Sequence, residues 1–314
     1  MSQLYEGAEP GKTTSLMGMG LLRWDDRPQL RRPILVAAFE GWNDAGNAAS
    51  EAVSYLVRAL GGKTFGAFDS EELFDFTSSR PHVRLELGEA RRLEWPVLTL
   101  SCAPVPGADR DVVFLSGPEP QLRWRSFARE LHEMSESVGI SMAVLLGALL
   151  ADVPHTRPVR ITGGAGSPEL AVLAGVEPSY YEGPTGILGV MADALGRAAV
   201  PTVSLWASVP HYVSQSSSPK ATLALVERSA RLLGTRLDLV ELEISTAAYE
   251  RQINELVATD EDASAYVTRL EEQDAEVNAD MDFSPAEDGP RLTQASGDRL
   301  AAEVERYLRE HRLD

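Results

Sequence analysis

Ile34-Leu35-Val36-Ala37-Ala38-Phe39, followed by Glu40-Gly41-Trp42-Asn43-Asp44-Ala45-Gly46, decides how this chain is read. An unbroken apolar run with no polar alternation describes a strand buried on both faces, the habit of a parallel sheet covered by helices. The run breaks into a glycine-bounded turn, after which Ala48, Ala49, Ala52, Val53, Leu56, Val57 and Leu60 share one helical stripe. Asn43 or Asp44 is placed to cap that helix, and Gly61-Gly62 to end it. Thr64 to Phe68 then supplies a second strand. Strand, helix, strand is a β-α-β unit, which implies a parallel sheet and a right-handed crossover.

Upstream, residues 1–32 mix glycine, proline and charge without periodicity and read as an arm. Downstream, residues 71–95 behave as an insertion: Val83, Leu85 and Leu87 alternate with polar residues, Gly88-Glu89 turns, and Arg91 to Trp95 returns. That hairpin suits either an oligomer contact or a ribbon packed on its own subunit. Strands are expected at Val97–Cys102, Val112–Ser116, Met142–Leu149, Val159–Thr162 and Thr202–Ala207. Helices are expected at Gln121–Val138, after Ser167-Pro168-Glu169, at Thr185–Ala199, and at Pro219–Leu233 with Ser218 as cap. The class is α/β, a predominantly parallel sheet with helices on both faces. Residues 33–240 form this core. Beyond it, Ser245–Ala258, Ala263–Asp280 and Ser296–His311 read as helices, so residues 241–314 form an appendage, or a lid over the strand ends where open α/β sheets bind ligands.

Charge supports the same boundary. The 314 residues carry a net charge of −18, and Glu241 to Asp314 alone holds 20 acidic against 7 basic residues. Such a chain is repelled by phosphate backbones and anionic membrane surfaces, which argues against nucleic-acid and membrane partners. The amino terminus, MSQLYEGAEPGKT, lacks the basic-then-apolar form of a signal peptide, so a cytoplasmic address is expected. Lys12-Thr13-Thr14 lacks the preceding strand and glycine spacing of a phosphate loop. Cys102 cannot pair within the chain and reads as a small core residue.

Four polar clusters fall at expected strand ends. Trp42, Asn43 and Asp44 sit between strand and helix, where free N–H groups can hold an anion; a helix cap and a packing aromatic are the ordinary alternatives. Gly163-Gly164-Ala165-Gly166 reads as a second strand-to-helix turn. Glu182, with Thr185 after Gly183-Pro184, and His211, after Trp206 to Pro210, are the best general acid or base candidates. A pocket at the strand C-termini would be lined by Trp42, Asn43, Asp44, Gly163, Gly164, Glu182, Thr185 and His211. The serines have no nucleophile elbow. His82, His132, His155, His211 and His311 show no metal-ligand spacing, so neither metal nor cofactor is expected.

GWNDAGNAAS after an apolar strand, LLGALLADVPHTRP from Leu145, YEGPTGILGVM from Tyr181 and SLWASVPHYVSQSSSPKATLAL from Ser204 together resemble the proteasome assembly chaperone type 2 family, in its larger actinobacterial branch. The resemblance covers about residues 33–235, and the acidic tail is similar to an extension of that branch. It implies a phosphorylase/hydrolase-like α/β core and self-association, with a homotrimer favoured. It also implies proteasome subunits as conceivable partners. Some archaeal members dock a hydrophobic-Tyr-any-residue tail between proteasome subunits; here the last residues are Arg312-Leu313-Asp314, so that docking mode is not expected.

Two functions follow. The first is a non-enzymatic protein-binding module, an oligomeric scaffold or chaperone. The second is a binding protein for a nucleoside- or carboxylate-like small molecule, or an enzyme, with its pocket under the helical appendage. A scaffold of unrelated purpose, its strand-end residues merely capping helices, is the plain alternative.

Overall fold

The computed structural model describes residues 20–85, 91–176, 182–214 and 216–281. The strands are β1 (Leu22–Trp24), β2 (Ile34–Glu40), β3 (Lys63–Phe68), β4 (His82–Arg84), β5 (Arg92–Glu94), β6 (Thr99–Pro104), β7 (Asp111–Pro118), β8 (Met142–Ala151), β9 (Ile161–Ala165) and β10 (Thr202–Pro210). The helices are α1 (Ala48–Leu60), α2 (Ser70–Leu73), α3 (Trp124–Val138), α4 (Pro168–Ala174), α5 (Ile187–Arg197), α6 (Pro219–Leu233), α7 (Val240–Ala258) and α8 (Glu261–Met281).

One mixed, mostly parallel sheet has the order β1-β3-β6-β7-β2-β8-β10-β9. β7, β2, β8 and β10 pair in parallel at its centre, while β1, β6 and β9 run against them. The β2-α1-β3 unit exists, but β3 lies beyond β6 and β7, so its two strands share a direction without being neighbours. The arm also contributes structure: β1 pairs with β3, Arg23 opposite Ala67.

The apolar run of β2 explains the layers. Ile34, Val36 and Ala38 enter one core with the buried faces of α1, α4 and α6. Leu35, Ala37 and Phe39 enter the other, which holds Phe127 and Leu131 of α3 and Ile187 and Met191 of α5. Alternation is absent from the sequence because both faces are dry. At the start of α1, Asn47 takes a left-handed φ of 52° and offers no side-chain cap. Asp44 does the capping instead, accepting from Ala49 N at 2.7 Å, Ser50 N at 3.2 Å and Ser50 Oγ at 2.5 Å. Gly61 ends the helix at φ 69°.

β4 and β5 form a separate two-stranded ribbon, Val83 opposite Leu93; its expected turn at Gly88-Glu89 lies outside the described residues. The acidic region begins with α7, and α8 follows; Ser296–His311 lies outside the described residues.

Candidate functional site

The chain leaves β2 toward β3 on one side of the sheet and leaves β8 toward β10 and β9 on the other. The gap between the carboxyl ends of β2 and β8 is therefore the switch point where an α/β sheet opens a crevice. Here that gap is zipped. Asn43 O accepts the Ala148 N–H at 2.8 Å, and Asp44 bridges to Ala148 in parallel. The turn after β2 thus continues along β8 instead of parting from it.

Around this turn the expected site residues separate into distinct roles. Trp42 is 70% exposed and Asn43 and Asp44 are buried. Asn43 Nδ2 donates to Glu119 Oε1 at 2.9 Å, and the same oxygen accepts from Ile187 N, the first residue of α5, at 2.8 Å. A carboxylate at a helix start is favoured by the macrodipole, and Glu119 fills that place. Asn43 Oδ1 is buried with no donor. Burial pushes the Asp44 carboxyl above its ordinary pKa, while hydrogen bonds from Ser50 and Ala49 pull it back. Glu182 and Thr185 are exposed in the approach to α5.

Gly163 and Gly164 are strand residues of β9, not part of a turn. Because β9 runs antiparallel to β10, they stand beside Leu205 and Ser204 in mid-strand, away from the strand ends. The glycine is needed for contact: a Cβ on Gly163 would lie 1.9 Å from Ser204 O. His211 does sit at the end of β10, its Nδ1 3.0 Å from Asp152 Oδ1. β8 separates it from the Trp42 turn.

A second polar assembly, centred on His155, joins the core to the appendage. His155 Nδ1 meets the Tyr212 hydroxyl at 2.7 Å and Nε2 meets Asn254 Oδ1 of α7 at 3.0 Å. Asn254 Oδ1 can only accept, so Nε2 carries the proton and Nδ1 accepts from Tyr212. The Tyr212 oxygen in turn accepts His155's own N–H at 2.8 Å. Burial holds His155 below its ordinary pKa and raises Tyr212 to about 12, so both stay neutral near pH 7. Lys220 Nζ donates to His155 O at 2.6 Å and pairs with Glu250 of α7 at 2.5 Å. From α8, Asp274 pairs with Arg160 at 2.9 Å and Glu271 accepts from Thr156. Tyr266 packs edge-on to His211 and Tyr212.

A void of about 20 Å³, room for a water, remains beneath the junction among His155, Arg160, Ser208, Lys220 and Tyr249. The Tyr249 hydroxyl is buried there with no well-formed hydrogen bond. Burial raises its pKa, and nearby Ser218 tempers that rise. In the sequence His155 stands out only as one of five histidines that lack metal-ligand spacing. The PHTRP turn was visible, but Asn254 lies 99 residues away, and only the docked appendage joins them. Among the described residues, no three His, Cys, Asp or Glu side chains gather as a metal site, and no helix is long and apolar enough to cross a membrane.

The fold is thus a two-faced, mostly parallel α/β sheet with its switch-point crevice zipped, a separate two-stranded ribbon and a docked helical pair. The chain belongs to the PAC2 family, whose model matches residues 38–257. A PAC2 family protein from Streptomyces avermitilis is 47% identical, with a TM-score of 0.70 covering 75% of this chain and 99% of that one. A proteasome-assembly chaperone homologue from Mycobacterium tuberculosis is 44% identical, TM-score 0.69, covering 74% and 99%. A protein of unknown function from the same organism is 28% identical, TM-score 0.78, covering 87% and 95%. No curated protein matches the chain.

Proposed function

We propose that this protein is a non-enzymatic protein-binding module, a scaffold or chaperone that self-associates as a homotrimer and acts in the cytoplasm. The observation that carries this reading is the ribbon. Val83 and Leu93 face each other across β4 and β5, and the pleat puts Leu85 and Trp95 on the same side. These four are between 49% and 76% exposed, and Trp95 is backed by Phe76 at 4.8 Å between ring centroids. An exposed apolar patch of this kind marks a protein contact. Family membership supports a chaperone-like role, and the assembly-chaperone title of the Mycobacterium tuberculosis relative supports proteasome subunits as the partner class.

The test is light scattering of the full-length protein beside Leu85→Asp, followed by native pull-down at modest salt. A wild-type oligomer that the substitution dissociates, and capture of proteasome α-subunits, support the reading. A monomeric wild type overturns self-association, and recovery of the oligomer alone counts against the proteasome link.

A second reading, a site for a nucleoside- or carboxylate-like molecule near Trp42, Asn43, Glu182 and Thr185, is favoured by the donorless buried Asn43 Oδ1. Thermal-shift screening tests it: no shift with any nucleoside, nucleotide or small carboxylate removes it.

A further inference from the structure

We propose that the basic and aromatic seat beneath α8 is a docking site for an acidic amphipathic helix of a partner protein, with α8 as its intramolecular guard. The proposal rests on the protein-binding reading above and names the kind of partner one surface takes. The chemistry of the occupant is read from α8 itself. Residues 261–281 carry seven acidic residues and a single basic one. Its buried apolar contribution among the described side chains is Val267 and Leu270, three positions apart on one face. One turn further on, Glu271 engages Thr156 and Asp274 engages Arg160. The seat answers with His211 and Tyr212 against Tyr266, whose hydroxyl donates to Asp152, and with Arg160 against Asp274.

Two features make the guard displaceable. Among the described side chains its apolar anchorage is Val267, Leu270 and the half-buried Tyr266, and the rest of its hold is polar, in the exposed Thr156–Glu271 contact and the partly exposed Arg160–Asp274 pair. The junction is also loosely finished: the water-sized void and the Tyr249 hydroxyl, buried without a well-formed hydrogen bond, lie beneath it. A tethered helix competes at a high effective concentration, so the resting protein shows a partner only the fraction of time α8 is away.

The test uses the full-length chain and a labelled synthetic peptide of residues 261–276, read by fluorescence anisotropy. Wild type is expected to bind it weakly. V267D/L270D, made to release α8, is expected to bind it at least about tenfold more tightly. Arg160→Glu added to that variant is expected to cancel the gain, and a scrambled peptide of equal charge to bind no better than to wild type. Hydrogen exchange on the same samples reports whether α8 has left its seat.

Three results would overturn the proposal: α8 released without a gain in peptide affinity, α8 still protected in V267D/L270D, or equal binding of the scrambled peptide. Light scattering separates this failure from that of the broader reading. An oligomer that persists while the peptide fails to bind removes the seat alone.

Discussion

Replacing Asp44 with alanine tests whether this buried carboxylate is a helix cap or a ligand group. Its oxygens accept from Ala49 N, Ser50 N and Ser50 Oγ, and no other described residue supplies a side-chain cap to α1. Losing an N-cap costs about 1 kcal/mol. Leaving the buried Ala49 N–H without a partner adds roughly 1–3 kcal/mol. The expected loss is therefore about 2–4 kcal/mol, seen in a chain of this length as a fall of roughly 3–6 °C in Tm by differential scanning calorimetry. Asp44→Asn keeps an acceptor for Ala49 N–H and removes a charge that burial disfavours, so it should lose less than half as much. The pH dependence carries a sign. Because the folded pKa of Asp44 is raised, the native state binds more protons than the unfolded one in the intervening range. Wild type should thus gain on Asp44→Asn as pH falls through that raised pKa. A Tm change below about 2 °C in Asp44→Ala, or a wild type that loses ground on acidification, would refute the capping argument.

Other outcomes are equally specific. Gly147→Ala places a Cβ 2.5 Å from the Trp206 ring, and overpacking between β8 and β10 should cost about 1–3 kcal/mol in chemical denaturation. Tyr212→Phe leaves His155 Nδ1 and its backbone N–H without their oxygen, which should speed hydrogen exchange in α7 and α8 before it touches α3 or α5. His155 has its pKa lowered by burial, opposed by Asn254, with Lys220 lowering it further and Glu250 and Glu271 raising it. Its stabilisation of the junction is therefore complete above the ordinary histidine pKa of about 6.5 and is lost as pH falls below it. Melting at pH 7.5 and pH 5 should show the loss, and His155→Asn should flatten it. Salt should loosen α7 and α8 while leaving the sheet unaffected, since Lys220–Glu250 binds α7 and Arg160–Asp274 binds α8 to the core.

Much of this fold is legible from the chain because one-dimensional pattern and three-dimensional burial coincide in it. The β2 run is apolar throughout since successive side chains enter opposite cores, and the α1 stripe faces one of them. Neighbourhood in the sheet is less legible. Nothing in Thr64 to Phe68 says that β6 and β7 come between it and β2. β1 is three residues with Arg23 at its centre and Asp25-Asp26 following, and its strand state comes from pairing with β3. At the candidate site, the cap role of Asp44 follows from local spacing. Gly163 and Gly164 do not yield to local reading, because a glycine demanded by a neighbouring strand looks the same as a glycine demanded by a turn. The zipped crevice is likewise invisible in sequence, being a pairing of Asn43 and Asp44 with Ala148, about a hundred residues on.

Light scattering of wild type against Leu85→Asp is the most direct measurement of the central claim, that this protein works through its surfaces and first of all through its ribbon. The expected wild-type mass is that of three chains of 34.1 kDa each, falling to one chain in the variant with the melting temperature of the core unchanged. A wild type that runs as a single chain, or a variant that keeps the full assembly, would contradict it.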